Sequence, residues 1–345
     1  MGQENGVLDI YREKVKKYNQ IVTLFMLTYN RSEYLKLAIE SVLNQTYTNF
    51  SLIILDNMST DNTSEVVSNI KDDRLLYIKR SSGEYPNNEL FAFDVNITPY
   101  LVVFHDDDII EKEYLETMLN IIESNEDYSL VACANNTIDS KGNITAKFKQ
   151  KNEYSIYSGN KYLEHFLCGN FGDDYSIMYP TVLYRYSFFK NKKDIYNPEF
   201  GPAHDQYYMF DCERRGGTMF VLGKPLLNYR VHANQDSSIN RANMDFKLIN
   251  AMYKDPYYKD FMDKMDKKNI YKFVRNSLKT SVKSYIKDAT NYEGIKNTYS
   301  LINKEVFNDD ESKKFIKRYE KFIEHPKTYS FFFKLRYFRM LYLNK

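Results

Sequence analysis

Three consecutive carboxylates, Asp106-Asp107-Asp108, follow the apolar run Tyr100-Leu101-Val102-Val103-Phe104, with His105 between. A short run rich in Val and aromatic residues reads as a buried strand. Unpaired charge is costly to bury, so the three acids belong at a rim, in water or on a cation. In open α/β sheets that rim, at the carboxyl ends of the strands, is where ligands bind. Carboxylates suit hard cations such as Mg²⁺ and Mn²⁺, and such sites commonly share the ion with substrate phosphates. The competing reading is a solvated acidic turn, and for an isolated triplet that reading comes first. The rest of the chain decides between them.

The elements that would position the triplet alternate. Ile21 to Leu27 is an apolar run of strand length, closed by Thr28-Tyr29-Asn30-Arg31. Leu35, Ala38, Ile39, Val42 and Leu43 then recur at helical spacing, with Ser32 or Asn30 as cap. Phe50 to Leu55 is a second strand, closed by Asp56-Asn57-Met58-Ser59-Thr60-Asp61. Val66, Val67 and Ile70 mark a helix capped by Asp61 or Asn62, Leu75 to Lys79 a third strand, and Asn88 to Val95 a short helix. After the triplet, Leu115, Met118, Leu119 and Ile122 form another buried stripe, and Ser129 to Ala134 another strand. Strand alternating with helix predicts an α/β fold with a mainly parallel sheet flanked by helices. Right-handed crossovers put these strand ends on one rim.

These residues resemble family 2 glycosyltransferases of the GT-A fold. The resemblance is carried by Ile21 to Asn30 with Arg31, by Ile39-Glu40-Ser41-Val42-Leu43-Asn44-Gln45-Thr46-Tyr47, and by Ile53-Ile54-Leu55-Asp56-Asn57-Met58-Ser59-Thr60-Asp61. Phe104-His105-Asp106-Asp107-Asp108 resembles the family's metal-binding DxD element. The likeness is dense over 21–125, patchy to about 240 and absent beyond. It implies a Rossmann-like nucleotide-binding half at 21–125 and an acceptor half at 126–240, together one domain over 21–240. Residues 1–20 form a short polar lead-in, helical around Tyr11 to Lys17, and 241–345 a C-terminal helical extension.

The resemblance also implies roles. Thr28 and Tyr29 would flank a nucleotide base, and Asp56 would accept its imide N–H; a plain turn or cap is the alternative for Asp56. Arg31 lies in the same loop, facing a helix N-terminus that favours anions. Asp106 would contact the ribose or metal-bound water, or join Asp108 in ligating the metal, with Asp107 the ambiguous member. Many relatives carry a second Asp where this chain has Asn57. Phe200-Gly201-Pro202-Ala203-His204-Asp205-Gln206 precedes a helical stretch that stops at Gly216-Gly217. The family commonly has an acidic pair here, one member being the general base. The first acid is replaced by His204, which leaves Asp205; its competing role is an N-cap, and Asp173, Asp174 and Asp211 are weaker alternatives. In Asn228-Tyr229-Arg230-Val231-His232, His232 matches a histidine that reaches the metal or diphosphate in relatives. A lone His is as often structural. Imidazole is acceptable to Mn²⁺ and less so to Mg²⁺, so a His ligand tilts the metal toward Mn²⁺.

Composition narrows the classes. The chain has 345 residues, net charge +2, 43% hydrophobic and 27% charged residues, the profile of a soluble globular protein. So small a basic excess argues against a nucleic-acid partner. Three widely spaced cysteines, Cys133, Cys168 and Cys212, fit a reducing compartment rather than a disulfide framework. No apolar h-region and no run near the ~18 residues of a membrane span is evident. These features point to the cytoplasm, with the inner membrane face as an option. Ile138 to Ile144 reads as a hairpin, residues 145–156 as polar and mobile, Gly159 to Cys168 as a helix, and Thr181 to Tyr184 and Thr218 to Leu222 as strands. Residues 315–345 hold eight Lys/Arg against two Glu, interleaved with aromatics. They read as a helical layer packed on the core or on a second subunit, or as a basic helix resting on an anionic membrane. Phe331, Phe332 and Phe333 would cover all sides of a helix, which favours packing.

The predicted function is therefore metal-dependent, inverting transfer of a sugar from a nucleotide diphosphate sugar, a UDP-sugar first among them. The acceptor would be the hydroxyl of a saccharide or lipid-linked glycan in cell-surface polysaccharide or glycoconjugate synthesis. Cofactors would be Mn²⁺ or Mg²⁺. The competing readings are a nucleotidyltransferase, for which the loop after Tyr29 lacks the usual glycines, and a non-catalytic nucleotide- or sugar-binding module. A glycosidase would need two opposed carboxylates but no metal.

Overall fold

The computed structural model describes residues 2–80, 88–149, 152–168, 177–189, 204–232, 241–287 and 292–324. Its strands are β1 (Val22–Thr28), β2 (Phe50–Asp56), β3 (Leu75–Lys79), β4 (Tyr100–His105), β5 (Ile109–Ile110), β6 (Tyr128–Ile138), β7 (Ile144–Ala146), β8 (Tyr154–Tyr157), β9 (Leu183–Arg185) and β10 (Thr218–Arg230). Its helices are α1 (Gly2–Tyr18), α2 (Ser32–Leu43), α3 (Thr63–Ser68), α4 (Asn88–Val95), α5 (Tyr114–Ser124), α6 (Lys161–Leu167), α7 (Tyr186–Phe189), α8 (His204–Arg214), α9 (Arg241–Lys254), α10 (Pro256–Lys264), α11 (Lys267–Lys287), α12 (Tyr292–Ser300) and α13 (Asp310–Glu324).

Ten strands form one sheet in the order β3-β2-β1-β4-β9-β6-β10-β5, with β7 on β6 and β8 on β10. The pairs β3–β2, β2–β1, β1–β4 and β6–β10 are parallel. The short β9 lies antiparallel to both β4 and β6, so those two strands run the same way. All seven residues of β2 are buried. Strands covered on both faces read as continuous apolar runs, and β1, β2 and β4 do.

Helix α2 buries Leu35, Ala38, Ile39 and Val42, and α5 buries Tyr114, Leu115, Met118, Leu119 and Ile122. These stripes meet Leu24, Met26, Leu52, Ile54, Val102 and Phe104 in a continuous core. The core fixes which way the strands point, and hence where their carboxyl ends gather.

Some local expectations change. The helix expected around Tyr11 to Lys17 is longer, running 17 residues as α1, anchored by Tyr11, whose ring is fully buried and whose hydroxyl meets Thr23 at 2.9 Å. Neither Ser32 nor Asn30 caps α2: Arg31 occupies the N-cap position without a side-chain bond, and the Ser32 N–H donates to Asp61 Oδ2 at 3.0 Å. Within 145–156 the strand β8 forms and pairs with β10. Strand β10 runs eight residues past Leu222, with register shifts between Leu222 and Leu227. The hairpin at Ile138 to Ile144 is present, closed through Gly142 at φ 88°. The three cysteines are free thiols.

The chain forms two compact units. The first holds the described residues of 2–162, 177–189 and 208–232, and the second those of 163–168, 204–207 and 241–324. Helices α9 to α13 fall in the second. Among the described residues no helix is long and apolar enough to cross a membrane. Glu84, Asp173, Asp174, Pro326 and Phe331 to Phe333 lie outside the described residues, as does most of 315–345.

Candidate active site at the carboxyl edge of the sheet

Register brings the sequence-selected residues to one edge. Thr28, the last residue of β1, pairs with Asp56, the last of β2, while Leu27 pairs with His105 at the end of β4. Two strand-to-helix loops are then tied together. The Asn57 N–H donates to Thr28 O at 3.0 Å, the Asn30 N–H to Ser59 Oγ at 2.9 Å, and the Thr60 N–H to Asn30 Oδ1 at 2.8 Å. Asn30 takes φ 51°, a left-handed conformation that Asn tolerates better than most residues. Asp61 holds both following helices, accepting from Ser32 N–H with one oxygen and from Thr63 N–H and hydroxyl with the other. Burial works against its ionisation. The Thr63 and Ser32 hydrogen bonds outweigh burial and bring its carboxyl down to about 2.

Asp56 is fully buried. Its Oδ1 accepts the Ser59 N–H at 2.8 Å and its Oδ2 the Tyr77 hydroxyl at 2.5 Å, with Ser64 Oγ 2.8 Å behind that hydroxyl. Thr28 is buried, whereas Tyr29 is 56% exposed.

The triplet is buried, with Asp106, Asp107 and Asp108 at 1%, 3% and 0% exposure. Each carboxylate meets a different element. Asp106 accepts the Tyr29 N–H at 3.3 Å and faces Arg31 Nη1 at 3.3 Å. Asp107 Oδ2 lies 3.1 Å from Arg31 Nη1 and 3.0 Å from His232 Nε2. Asp108 Oδ1 accepts the Arg230 N–H at 2.8 Å, and Arg230 Nε donates to Asp107 O at 2.6 Å. Arg230 is itself buried and stacks over the Tyr34 ring at 4.9 Å. Burial, then the Asp107 charge, pushes Asp106 up to about 7 against the pull of Arg31. The same two causes raise Asp108 well above the usual carboxylate range.

Thr28, Tyr29, Arg31, Asp106, Asp107, Asp108 and His232 thus converge, with Asp56 beside Thr28 in the next strand. Asp205 belongs to the second unit, in the first turn of α8, its Oδ1 accepting the Gln206 N–H at 2.7 Å. Asp211 pairs with Arg215 at 2.6 Å.

A glycosyl transferase family 2 model matches residues 23–184 of this chain, the segment that builds this edge from β1 through β9. Over those residues the chain matches a family 2 glycosyltransferase domain. An uncharacterised glycosyltransferase of Methanocaldococcus jannaschii is 28% identical over 227 residues, spanning 64% of this chain and 74% of the relative. One of Haemophilus influenzae is 23% identical over 77% of this chain and 89% of its own length. A GalNAc(5)-diNAcBac-PP-undecaprenol beta-1,3-glucosyltransferase of Campylobacter jejuni is 30% identical over 38% of this chain and 42% of its own. Among solved structures, S. aureus TarS 1–349 in complex with UDP-GlcNAc superposes with a TM-score of 0.52 at 16% identity, covering 89% of this chain and 91% of that one. The fold is GT-A.

Among the described residues one group at this edge could hold a divalent cation. His105, Asp107 and Asp108 each offer a ligand atom within 4.8 Å of the others. Among the described residues the buried Asp108 Oδ2 has no hydrogen-bond partner, and His105 Nδ1 lies 3.8 Å from it; a buried carboxylate oxygen without a donor fits a metal-ligand position. Asp106 is turned instead toward Tyr29 and Arg31, and His232 reaches the group through Asp107.

Sequence reading missed four side chains here. His105 was set aside as a spacer, although it ends a strand one residue before the acids. Arg230 looked like part of a motif rather than a buried clamp. Tyr77 carried no signal, because its contact with Asp56 exists only once β2 and β3 pair. Asp61 was weighed only as a cap of α3, and it holds α2 as well.

Proposed function

We propose that this glycosyltransferase moves a sugar from a UDP-sugar to an acceptor hydroxyl with inversion at the anomeric carbon. The observation that carries the reading is the buried Asp108 carboxylate oxygen, without a hydrogen-bond donor among the described residues and 3.8 Å from His105 Nδ1, at the carboxyl edge of the segment that matches the family 2 model. A UDP donor is supported by the UDP-GlcNAc complex of the TarS structure. A glycan acceptor on a lipid carrier, at the inner membrane face, is supported by the undecaprenol-linked substrates in the names of the Campylobacter jejuni and Escherichia coli relatives. A chondroitin synthase among the relatives supports polysaccharide chemistry of the same kind.

Asp108, Asp107 and His105 would hold Mn²⁺ or Mg²⁺, with His232 and Asp106 adjoining; the imidazoles favour Mn²⁺. Bound there, the ion would neutralise charge on the departing nucleotide diphosphate. Thr28 and Tyr29 flank the base, and Asp56, an acceptor held by two donors of its own, reads an N–H on the base edge. Arg31 meets diphosphate charge. Asp205 takes the acceptor proton as the hydroxyl oxygen bonds the anomeric carbon and the bond to the diphosphate breaks. A single displacement of this kind inverts the centre.

Replacing Asp205 by Asn keeps size and removes the base. Turnover in the Asp205→Asn variant should fall at least ~100-fold, while UDP binding by calorimetry stays within about twofold. Unchanged turnover would remove Asp205 from the mechanism.

A further inference from the structure

The acidic edge is met in this structure by a guanidinium. Arg31 Nη1 spans Asp106 Oδ1 at 3.3 Å and Asp107 Oδ2 at 3.1 Å. Asp107 belongs to two sets at once, the Arg31 pair and the His105-Asp107-Asp108 group. A divalent ion drawing on Asp107 therefore meets the Arg31 charge a few ångströms away, and like charges at that range in a buried site repel strongly.

Arg31 is placed to move. Its carboxylate partners are 2% and 3% exposed, whereas its own side chain is 22% exposed. Its backbone is fixed, because its carbonyl accepts the N–H groups of Tyr34 at 3.1 Å and Leu35 at 3.2 Å at the start of α2. A guanidinium on a fixed backbone, at a helix N-terminus that itself favours anions, can exchange carboxylates for phosphate oxygens, which match its fork equally well.

We propose that Arg31 is a placeholder cation: it holds Asp106 and Asp107 in the free protein, opposes entry of the divalent ion, and passes to the diphosphate when the donor binds. This rests on the reading that the donor is a nucleoside diphosphate sugar bound with a metal. It makes ion and nucleotide bind cooperatively, since each relieves the charge the other would face.

The test is calorimetric titration of the full chain with Mn²⁺ alone, and with UDP at saturating Mn²⁺. Arg31→Gln removes the charge and keeps an amide donor; Arg31→Lys keeps the charge. The Gln variant should bind Mn²⁺ alone about tenfold or more tighter than wild type, and UDP about tenfold or more weaker, two shifts of opposite sign. The Lys variant should keep the weak Mn²⁺ binding of wild type. A purely structural Arg31 would weaken both ligands in the Gln variant, and Mn²⁺ affinity that is unchanged or lower there overturns the proposal. If no form binds Mn²⁺ with or without UDP, the metal reading falls and takes the placeholder with it. If all forms bind Mn²⁺ equally, the metal stands and only the role of Arg31 is lost.

Discussion

At the scale of single residues the site is a concentration of negative charge contacted by Arg31, Arg230, His105 and His232. Three adjacent acids are almost wholly buried, and Asp106 is raised to about 7 by burial and by Asp107. A carboxyl whose folded value is raised stabilises the folded state below its unfolded value, and that stability is lost as pH rises toward the folded value. For Asp106 the window runs from about 4 to about 7. In metal-free protein, Asp106→Asn should therefore gain on wild type in melting temperature as pH rises across that window, with the gap smallest near pH 4. Thermal melts of both forms along a pH series check this, and a gap that is flat or shrinks with pH contradicts it. The triplet itself was legible from its neighbours: acids directly after Val102-Val103-Phe104 can only stand at a strand end. Which acid turns where was not legible. Asp106 faces Tyr29 and Arg31 while Asp107 and Asp108 group with His105, and that sorting depends on a loop 75 to 77 residues away in the chain.

At the scale of elements, the edge is built by two strand-loop-helix units locked to each other. Asp61, after β2, accepts from the first residue of α2 and the first residue of α3. Replacing a capping acid by Ala typically costs ~1 kcal/mol, and here two helix starts lose their acceptor. Asp61→Ala should lower stability by roughly 1–2 kcal/mol at neutral pH in denaturant titrations. Its pKa is depressed, so the contribution is present above about 4 and lost as pH falls toward about 2, and the gap between variant and wild type should close over that range. A gap that persists at low pH would contradict the capping role. Elements with clean periodicity were legible: β1 to β4 are apolar runs, and α2 and α5 carry unbroken stripes. Elements with interrupted patterns were not. Gly223-Lys224-Pro225 breaks the apolar pattern of β10, and the strand continues past it through a register shift. The lead-in α1 is mostly polar and buries little beyond Leu8 and Tyr11, so its sequence hides its length.

At the scale of the whole molecule, the family 2 domain supplies the donor-side edge, and the five helices α9 to α13 make up most of a second compact unit. The family model stops at residue 184, whereas the second unit takes only 163–168 of its described residues from the matched segment and the rest from 204–207 and 241–324. Donor-side residues were legible because nucleotide and metal chemistry restricts residue types and spacing. In the helical unit only the helical pattern was legible, as in the buried Ile316, Tyr319 and Phe322 of α13. The central claim is that the acidic edge turns over a nucleotide sugar with a metal. The most direct measurement is release of free nucleotide from UDP-, GDP- and dTDP-sugars with Mn²⁺, Mg²⁺ or EDTA, alongside Asp108→Ala. The account predicts turnover of a UDP-sugar that is best with Mn²⁺, abolished by EDTA and lost in Asp108→Ala. Turnover that persists in EDTA or in that variant, or no binding of any nucleotide with metal present, would contradict it.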